Sequence, residues 1–431
     1  MNMRAAERNL VRAAVPVVIA AIIGVVLLVL LAPPSFGNAG DPQVVRIYAS
    51  VPLHSFASIV HGAQMAIDET GGRIGNFKLD FVPLTDDKLR PDRTYHWDTD
   101  VELANARRAA ADTDAVAYIG TYNSGAAKIS IPVLNRVHLA MISPGNTYPG
   151  LTKPGTGTAG EPWIYYPLGE QNYFRVVPAD DLQGNAAAAF AAQQLQPKPK
   201  SAYVLDDTEL YGHGIAVIFA QAAKDLGITT VTGPESIDVH ATDYTGLVQK
   251  IMAQNPDVVY FGGVTDNHPA LVLKALRAAG YKGVFMGADG IGGGDFIQQA
   301  GDNAGPAYAT LVGLPAAKLT GPGADWYSEY KSRWPSDGNE DFAPFGYEAA
   351  ETAIHAIAQA NTKDREAIRQ AVAATHASDL PGKHILGDWQ FDAHGDTSLV
   401  TISVQQMGAT WDYQGVMSYN AQTKAWAFQG K

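Results

Sequence analysis

Residues 114–124 read DAVAYIGTYNS, and residues 257–267 read DVVYFGGVTDN. Each begins on an aspartate, passes through a near-continuous apolar run, and ends on glycine and a polar loop. A short apolar run bounded by such turn signals reads as a strand buried on both faces, the kind found in parallel sheets covered by helices. One helix further on the echo repeats: LAMISPGNT (139–147) is answered by VFMGADGIGGG (284–294). Two units with the same strand, loop and helix order predict two lobes of similar build.

The alternation extends outward from both copies. Strands are predicted at 44–51, 115–120 and 139–143, and helices at 59–70, 101–111 and 126–137, the last interrupted by Pro132. Residues 149–180 form an excursion rich in Pro, Gly and Thr. Beyond it, helices at 182–195, 213–226, 244–254 and 269–279 alternate with strands at 201–207, 229–231, 258–263 and 284–287. Helices near 323–334, 345–360 and 364–374 precede β-like residues at 385–391, a turn at 392–396 and further strands to 428. The fold class is therefore α/β: two doubly wound parallel-sheet lobes joined by a hinge, one spanning 44–178 plus about 313–385, the other 179–312 plus about 386–431.

The chain has 431 residues and is 46% hydrophobic, which exceeds what a single core of about 250–300 residues uses and supports two lobes. Its 31 Lys and Arg against 43 Asp and Glu leave a formal charge of -12, a sign that repels nucleic acid and anionic lipid. There is no cysteine, so disulfides, thiolate metal sites, a cysteine nucleophile and a lipidated N-terminal cysteine are all excluded.

Residues 1–40 are unlike the rest. Arg4, Arg8 and Arg12 precede an uninterrupted apolar run at 15–32, and Pro33 and Pro34 end it. As a helix the run is about 27 Å long, close to the hydrocarbon thickness and longer than a usual signal-peptide core. It reads as a signal sequence or membrane anchor, an anchor being favoured over cleavage near Gly37 or Gly40. The basic flank puts the remainder outside the cytoplasm.

Enzymatic motifs do not fit. Ser124 lies in GTYNSG, which lacks the first glycine of G-x-S-x-G. Gly290 and Gly292 are followed by Asp295 where a dinucleotide fingerprint needs its third glycine, and no Walker A motif occurs. Asp238, His240 and Asp243 are read as a solvated loop with a helix cap at Thr242 or Asp243. No metal or cofactor is expected.

What remains is a set of polar groups at strand ends: Ser124, Gly145, Thr147, Tyr211 and Asp289. Ligands bind beyond the carboxyl ends of strands in open parallel sheets, so these loops line a cleft if the lobes face one another. The first lobe offers donors, which suit a carboxylate, and the second an acceptor, which suits an ammonium. The complementary ligand is a zwitterion.

Taken together, SVPL (50–53), GAQMAIDE (62–69) with Gly71 and Gly72, YIG (118–120), MISPGNTYPGLT (141–152), DDTELYGHG (206–214), DYTGLVQKI (243–251), VVYFGG (258–263), FMGADG (285–290) and FDAHGD (391–396) resemble the extracytoplasmic solute-binding proteins of branched-chain amino acid ABC transporters. These are the Leu/Ile/Val-binding group of the type I periplasmic-binding fold. The resemblance implies that Ser124, Gly145 and Thr147 hold a ligand carboxylate, that Asp289 accepts from its ammonium, and that Tyr211 closes over it from the second lobe. It also implies hinge closure, a membrane permease as partner, a monomer and no catalysis.

Three features depart from the family's pattern. HSFASIVH (54–61) stands where a glycine-containing loop is usual, so Phe56 reshapes the wall near the ligand side chain. Val264 and Thr265 stand where some amino-acid binders carry an aromatic, and the excursion at 154–171 is long. The function implied is capture of an amino acid or related amine-carboxylate for an ABC importer. A ligand-sensing receptor of the same fold is the second reading, and a hydrolase the remote one.

Overall fold

A computed structural model describes residues 43–91, 93–302 and 304–431, so the expected signal or anchor at residues 1–40 lies outside the described residues. Among the described residues no helix is long and apolar enough to cross a membrane.

From the amino end the elements are β1 (Val44–Val51), α1 (Leu53–Glu69), β2 (Arg73–Ile74), β3 (Phe77–Thr85), β4 (Asp87–Leu89), β5 (Tyr95–Trp97), α2 (Thr99–Ala111), β6 (Ala115–Gly120), α3 (Ser124–Asn135), β7 (Ala140–Ser143) and β8 (Tyr173–Arg175). The chain continues with α4 (Asp180–Gln194), β9 (Ser201–Asp206), α5 (Leu210–Asp225), β10 (Thr229–Ser236), α6 (Thr245–Gln254), β11 (Val258–Gly262), α7 (Pro269–Ala278), β12 (Val284–Gly287), α8 (Gly294–Ala300) and β13 (Ala307–Val312). It then returns through α9 (Pro322–Arg333), α10 (Ala343–Ala360) and α11 (Arg365–Ala373), and ends in β14 (Ile402–Met407), β15 (Trp411–Asn420) and β16 (Ala425–Gly430).

Two sheets result. The first has the order β2-β3-β1-β6-β7-β8, and the second β10-β9-β11-β12-β13-β14-β15-β16. The pairs β1–β3, β1–β6, β6–β7 and β7–β8 are parallel, as are β9–β10, β9–β11, β11–β12 and β12–β13. The final strands join antiparallel: β14 returns beside β13 after the three helices 322–373, and β14, β15 and β16 follow one another through short turns.

Burial explains why the central strands are apolar throughout. Every residue of β6 and of β11 is buried. Tyr203, Leu205, Val259, Phe261 and Phe285 face one core with Val248, Ile251, Leu273 and Phe296, while Val204, Tyr260 and Met286 face the other with Ala187 and Phe219. Side chains alternate across a strand, so a sheet with helices on both faces admits no polar side.

The internal echo extends to backbone conformation. Gly120 and Gly263 occupy equivalent places at the ends of β6 and β11, with φ of 147° and 153°. A Cβ on Gly120 would lie 2.5 Å from the Ser50 carbonyl oxygen, and one on Gly263 2.5 Å from the Asp207 carboxyl. Each lobe thus turns into its polar loop through a position that only glycine fills.

Two stretches differ from expectation. Residues 72–98, to which the sequence assigns no element, form β2 to β5; Lys78, Asp80 and Pro83 interrupt the apolar run that marks the other strands. Residues 385–391, expected to be β-like, make only isolated bridges, His376 with Gln390 and Phe391 with Thr397. Their polar groups are satisfied elsewhere. Leu386 N donates to Glu348 Oε1 at 3.1 Å, Trp389 Nε1 to Glu348 Oε2 at 3.3 Å, and Ala377 N to the Trp389 carbonyl at 2.8 Å. Trp389 and Asp396 therefore remain with α10 and β8, and the chain rejoins the second sheet only at Ile402, later than the expected crossing near 386.

Candidate ligand-binding site

The MISPGNT loop leaves β7 and is held from within. Ser143 Oγ accepts from Gly145 N at 3.2 Å and Asn146 N at 2.8 Å, and donates to the Thr121 carbonyl at 3.0 Å. Asn146 Nδ2 donates to Thr121 Oγ1 at 3.1 Å and to the Tyr122 carbonyl at 2.8 Å, which ties the loop after β7 to the loop after β6.

Arg175, at the end of β8, completes the arrangement. Its Nη1 donates to the carbonyls of Asn146 at 3.3 Å and Tyr148 at 2.8 Å, its Nη2 reaches Thr152 Oγ1, and its Nε bonds Asp396 Oδ1 at 2.6 Å. Both charges are buried, and the Arg175 guanidinium holds the Asp396 carboxyl below the usual carboxylate range against the opposing effect of burial. A buried pair whose guanidinium is bonded on every side fixes geometry, and Lys153 lies 3.4 Å from the second carboxylate oxygen.

Of the five predicted strand-end residues, all line one cavity, together with Tyr122, Asn123 and Val264. Their roles differ from the expectation in two places. The Gly145 amide is engaged by Ser143 and is not offered to a ligand. Gly145 serves by lacking a side chain, since a Cβ would lie 2.7 Å from Tyr122 Cδ2. Tyr211 is engaged within its own lobe: its hydroxyl donates to Asp289 Oδ1 at 2.7 Å and accepts from Gly290 N at 3.2 Å. Ser124 Oγ, at the first position of α3, accepts from Tyr148 N at 3.3 Å, and the Thr147 carbonyl accepts from Asp180 N at 2.8 Å.

Asp289 faces these groups from the loop after β12. Burial pushes its pKa up to about 6, opposed by the hydrogen bonds of Tyr211 and Gln183. Asp207, which ends the DD of DDTELYGHG, is similarly pushed by burial to about 7. It accepts from Asn267 Nδ2 at 2.9 Å and Val264 N at 3.0 Å, and so holds the loop after β11.

Phe56 and Thr265 line an adjoining compartment that shares Tyr122, Asn123, Val264 and Asp289 with the first. Phe56 interrupts α1 with φ −131° and ψ 34°, and its ring stacks on Tyr122 at 3.6 Å. Thr265 Oγ1 donates to the Gly290 carbonyl at 3.1 Å.

Sequence reasoning missed Tyr122, Arg175 and Asp180. Arg175 is signalled by a charge inside the apolar FRVV, and Asp180 by an acid in the first turn after Pro178. Tyr122 carries no such signal, because an aromatic in a loop is common.

The family profile described as "Periplasmic binding protein" matches residues 50–408. The chain is 27% identical over 370 residues to the leucine-, isoleucine-, valine-, threonine- and alanine-binding protein of Pseudomonas aeruginosa, covering 84% of this chain and 89% of that one. It superposes with a TM-score of 0.69 on the branched-chain amino acid transporter substrate-binding protein of Streptococcus pneumoniae in complex with isoleucine, at 18% identity over 90% of this chain and all of that one. A solute-binding protein of an ABC transporter from R. palustris, in complex with benzoate, gives 0.67 at 16% identity, covering 87% and 96%. With two mostly parallel sheets flanked by helices and a match spanning most of its length, this chain belongs to the periplasmic binding protein family and has its type I fold.

Proposed function

We propose that the protein is the extracytoplasmic ligand-binding component of an ABC importer, and that it holds an amino acid or related small amine-carboxylate between its two lobes. The observation that carries this reading is the opposition across one cavity of Ser124 and Thr147 as donors and Asp289 as acceptor. Amides and a hydroxyl near a helix start suit a carboxylate, and a buried aspartate suits an ammonium. The similar proteins named above bind amino acids or benzoate, and a carboxylate is common to both ligand types.

In this reading residues 44–178 and 313–397 form the first lobe and 179–312 and 398–431 the second, and closure brings Asp289 to the donors. The partner is a membrane permease, and residues 15–32 either tether the chain or direct its export. No catalysis is involved: the Ser124 hydroxyl is bonded to the Tyr148 amide rather than to a histidine.

Calorimetry of the purified chain with amino acids, short amides and carboxylates tests the proposal. Saturable binding of at least one amino acid is expected; failure of every zwitterion to bind removes the reading.

A further inference from the structure

The walls of the site carry far more negative charge than one zwitterion can use. Among the described residues, the outer compartment is lined by Asp266, Asp289, Asp295 and Asp341, and no Lys or Arg lines either compartment. Arg90 at the rim is engaged by Asn267 Oδ1 at 3.3 Å.

A fifth carboxylate stands behind Asp289. Asp180, in the first turn of α4, is fully buried, and neither of its side-chain oxygens has a hydrogen-bond partner. Gln183 Oε1, one turn along the same helix, and the Tyr260 hydroxyl are buried without partners as well. Asp180 neighbours Thr147, whose carbonyl takes its amide, and the charge of Asp289 adds to burial in raising its pKa well above normal.

The phenol of Tyr122, shared by both compartments, lies in the combined field of Asp289, Asp266, Asp295 and Asp180, which together with burial raise its pKa. Four carboxylates lining a compartment that no Lys or Arg faces call for a ligand with more positive charge than one α-ammonium. Between the acids the outer compartment is walled by Phe56, Tyr122 and Phe342, rings that suit a methylene stem lying along them.

We infer that the ligand is a basic amino acid, its α-ammonium shared by Asp289 and Asp180 and its distal ammonium or guanidinium placed among Asp266, Asp295 and Asp341. The inference rests on the amine-carboxylate reading above and names the side chain within it.

The test is calorimetry of the full chain with lysine, ornithine and arginine against leucine, isoleucine and alanine. At least one basic amino acid binds tenfold or more tighter than every neutral one, and Asp295→Asn lowers the lysine-to-leucine affinity ratio severalfold, with Asp266→Asn as a second variant. Neutral amino acids binding as tightly as basic ones overturn this inference and leave the amine-carboxylate reading intact. An unchanged ratio in both variants overturns the distal placement. If no amino acid of either kind binds, the underlying reading fails too.

Discussion

The hydroxyl of Tyr211 donates to Asp289 Oδ1 at 2.7 Å and itself accepts from Gly290 N at 3.2 Å. A residue on α5 thereby sets both the position and the ionisation of the acceptor after β12. Burial raises the Asp289 pKa to about 6, and the Tyr211 bond restrains that rise. An ammonium needs the ionised form, so ligand affinity increases as pH rises through about 6 and levels off above it. In Tyr211→Phe the midpoint moves to higher pH, and the loss of affinity, on the order of tenfold at pH 6, shrinks by pH 8. Calorimetry at several pH values reads both effects.

Removing the acceptor outright separates amine recognition from acid recognition. Asp289→Ala weakens amino acids by about 1.5–3 kcal/mol, the worth of a hydrogen bond to a charged group, which is roughly 10- to 150-fold in Kd. Ammonium-free acids lose much less. Equal loss for both classes would assign Asp289 a structural role.

Gly145→Ala tests the close approach of two loops. The added methyl meets Tyr122 Cδ2 at 2.7 Å, and the Tyr122 ring is backed by Phe56 at 3.6 Å and Phe342 at 5.0 Å, so the ring has little room to retreat. Overpacking of this kind costs about 1–3 kcal/mol. The expected result is a fall in ligand affinity larger than the fall in Tm, read by calorimetry and thermal unfolding.

Arg175→Leu leaves the buried Asp396 carboxylate with Lys153, 3.4 Å away, as its remaining ion-pair partner. Losing the partner of a buried charge costs up to about 3–5 kcal/mol, or roughly 4–6 °C in Tm for a chain of this size. The double variant with Asp396→Leu recovers part of that, because no orphaned charge remains. Recovery absent from the double variant would show that the carbonyl bonds to Asn146 and Tyr148 are the larger contribution.

Stability depends on pH through buried acids on α10. Burial pushes the Glu351 pKa up to about 8 and that of Glu348 up to about 7, from an ordinary 4.5. The folded state keeps protons that the unfolded chain sheds, so this stability is fully present below about 4.5 and is lost as pH rises through 7 to 8. Glu366, bonded to Arg369 and drawn down to about 2, contributes in the opposite sense and loses its share only below 4.5. Thermal unfolding should show Tm declining from about pH 5 to 8, and Glu351→Gln should flatten that decline. A slope unchanged in the variant would assign the decline to other groups.

The strand-end geometry was legible in the sequence because one chemical pattern occurs twice. β1, β6 and β12 have their predicted limits, and all five strand-end residues meet in one cavity. The roles of Gly145 and Tyr211 were less legible, since a hydrogen bond from the Gly145 amide to Ser143 and one from Tyr211 to Asp289 depend on loop geometry rather than on residue type. Asp180 was hidden for a different reason. In sequence it reads as an acid at a helix start, where a negative charge is favourable, and only its burial beside Asp289 gives it another meaning.

The knot around Arg175 gives the proposed capture cycle a direction in time. One guanidinium spans the carbonyls of Asn146 and Tyr148, Thr152 and Asp396, so the donor face belongs to a single braced body whatever the second lobe does. Asp289 and Tyr211 travel with the other sheet. Under the proposed closure a ligand meets the braced face first by its acid end and is sealed last at its amine. A molecule with an amine but no acid would then arrive with nothing to hold it while the cleft is open.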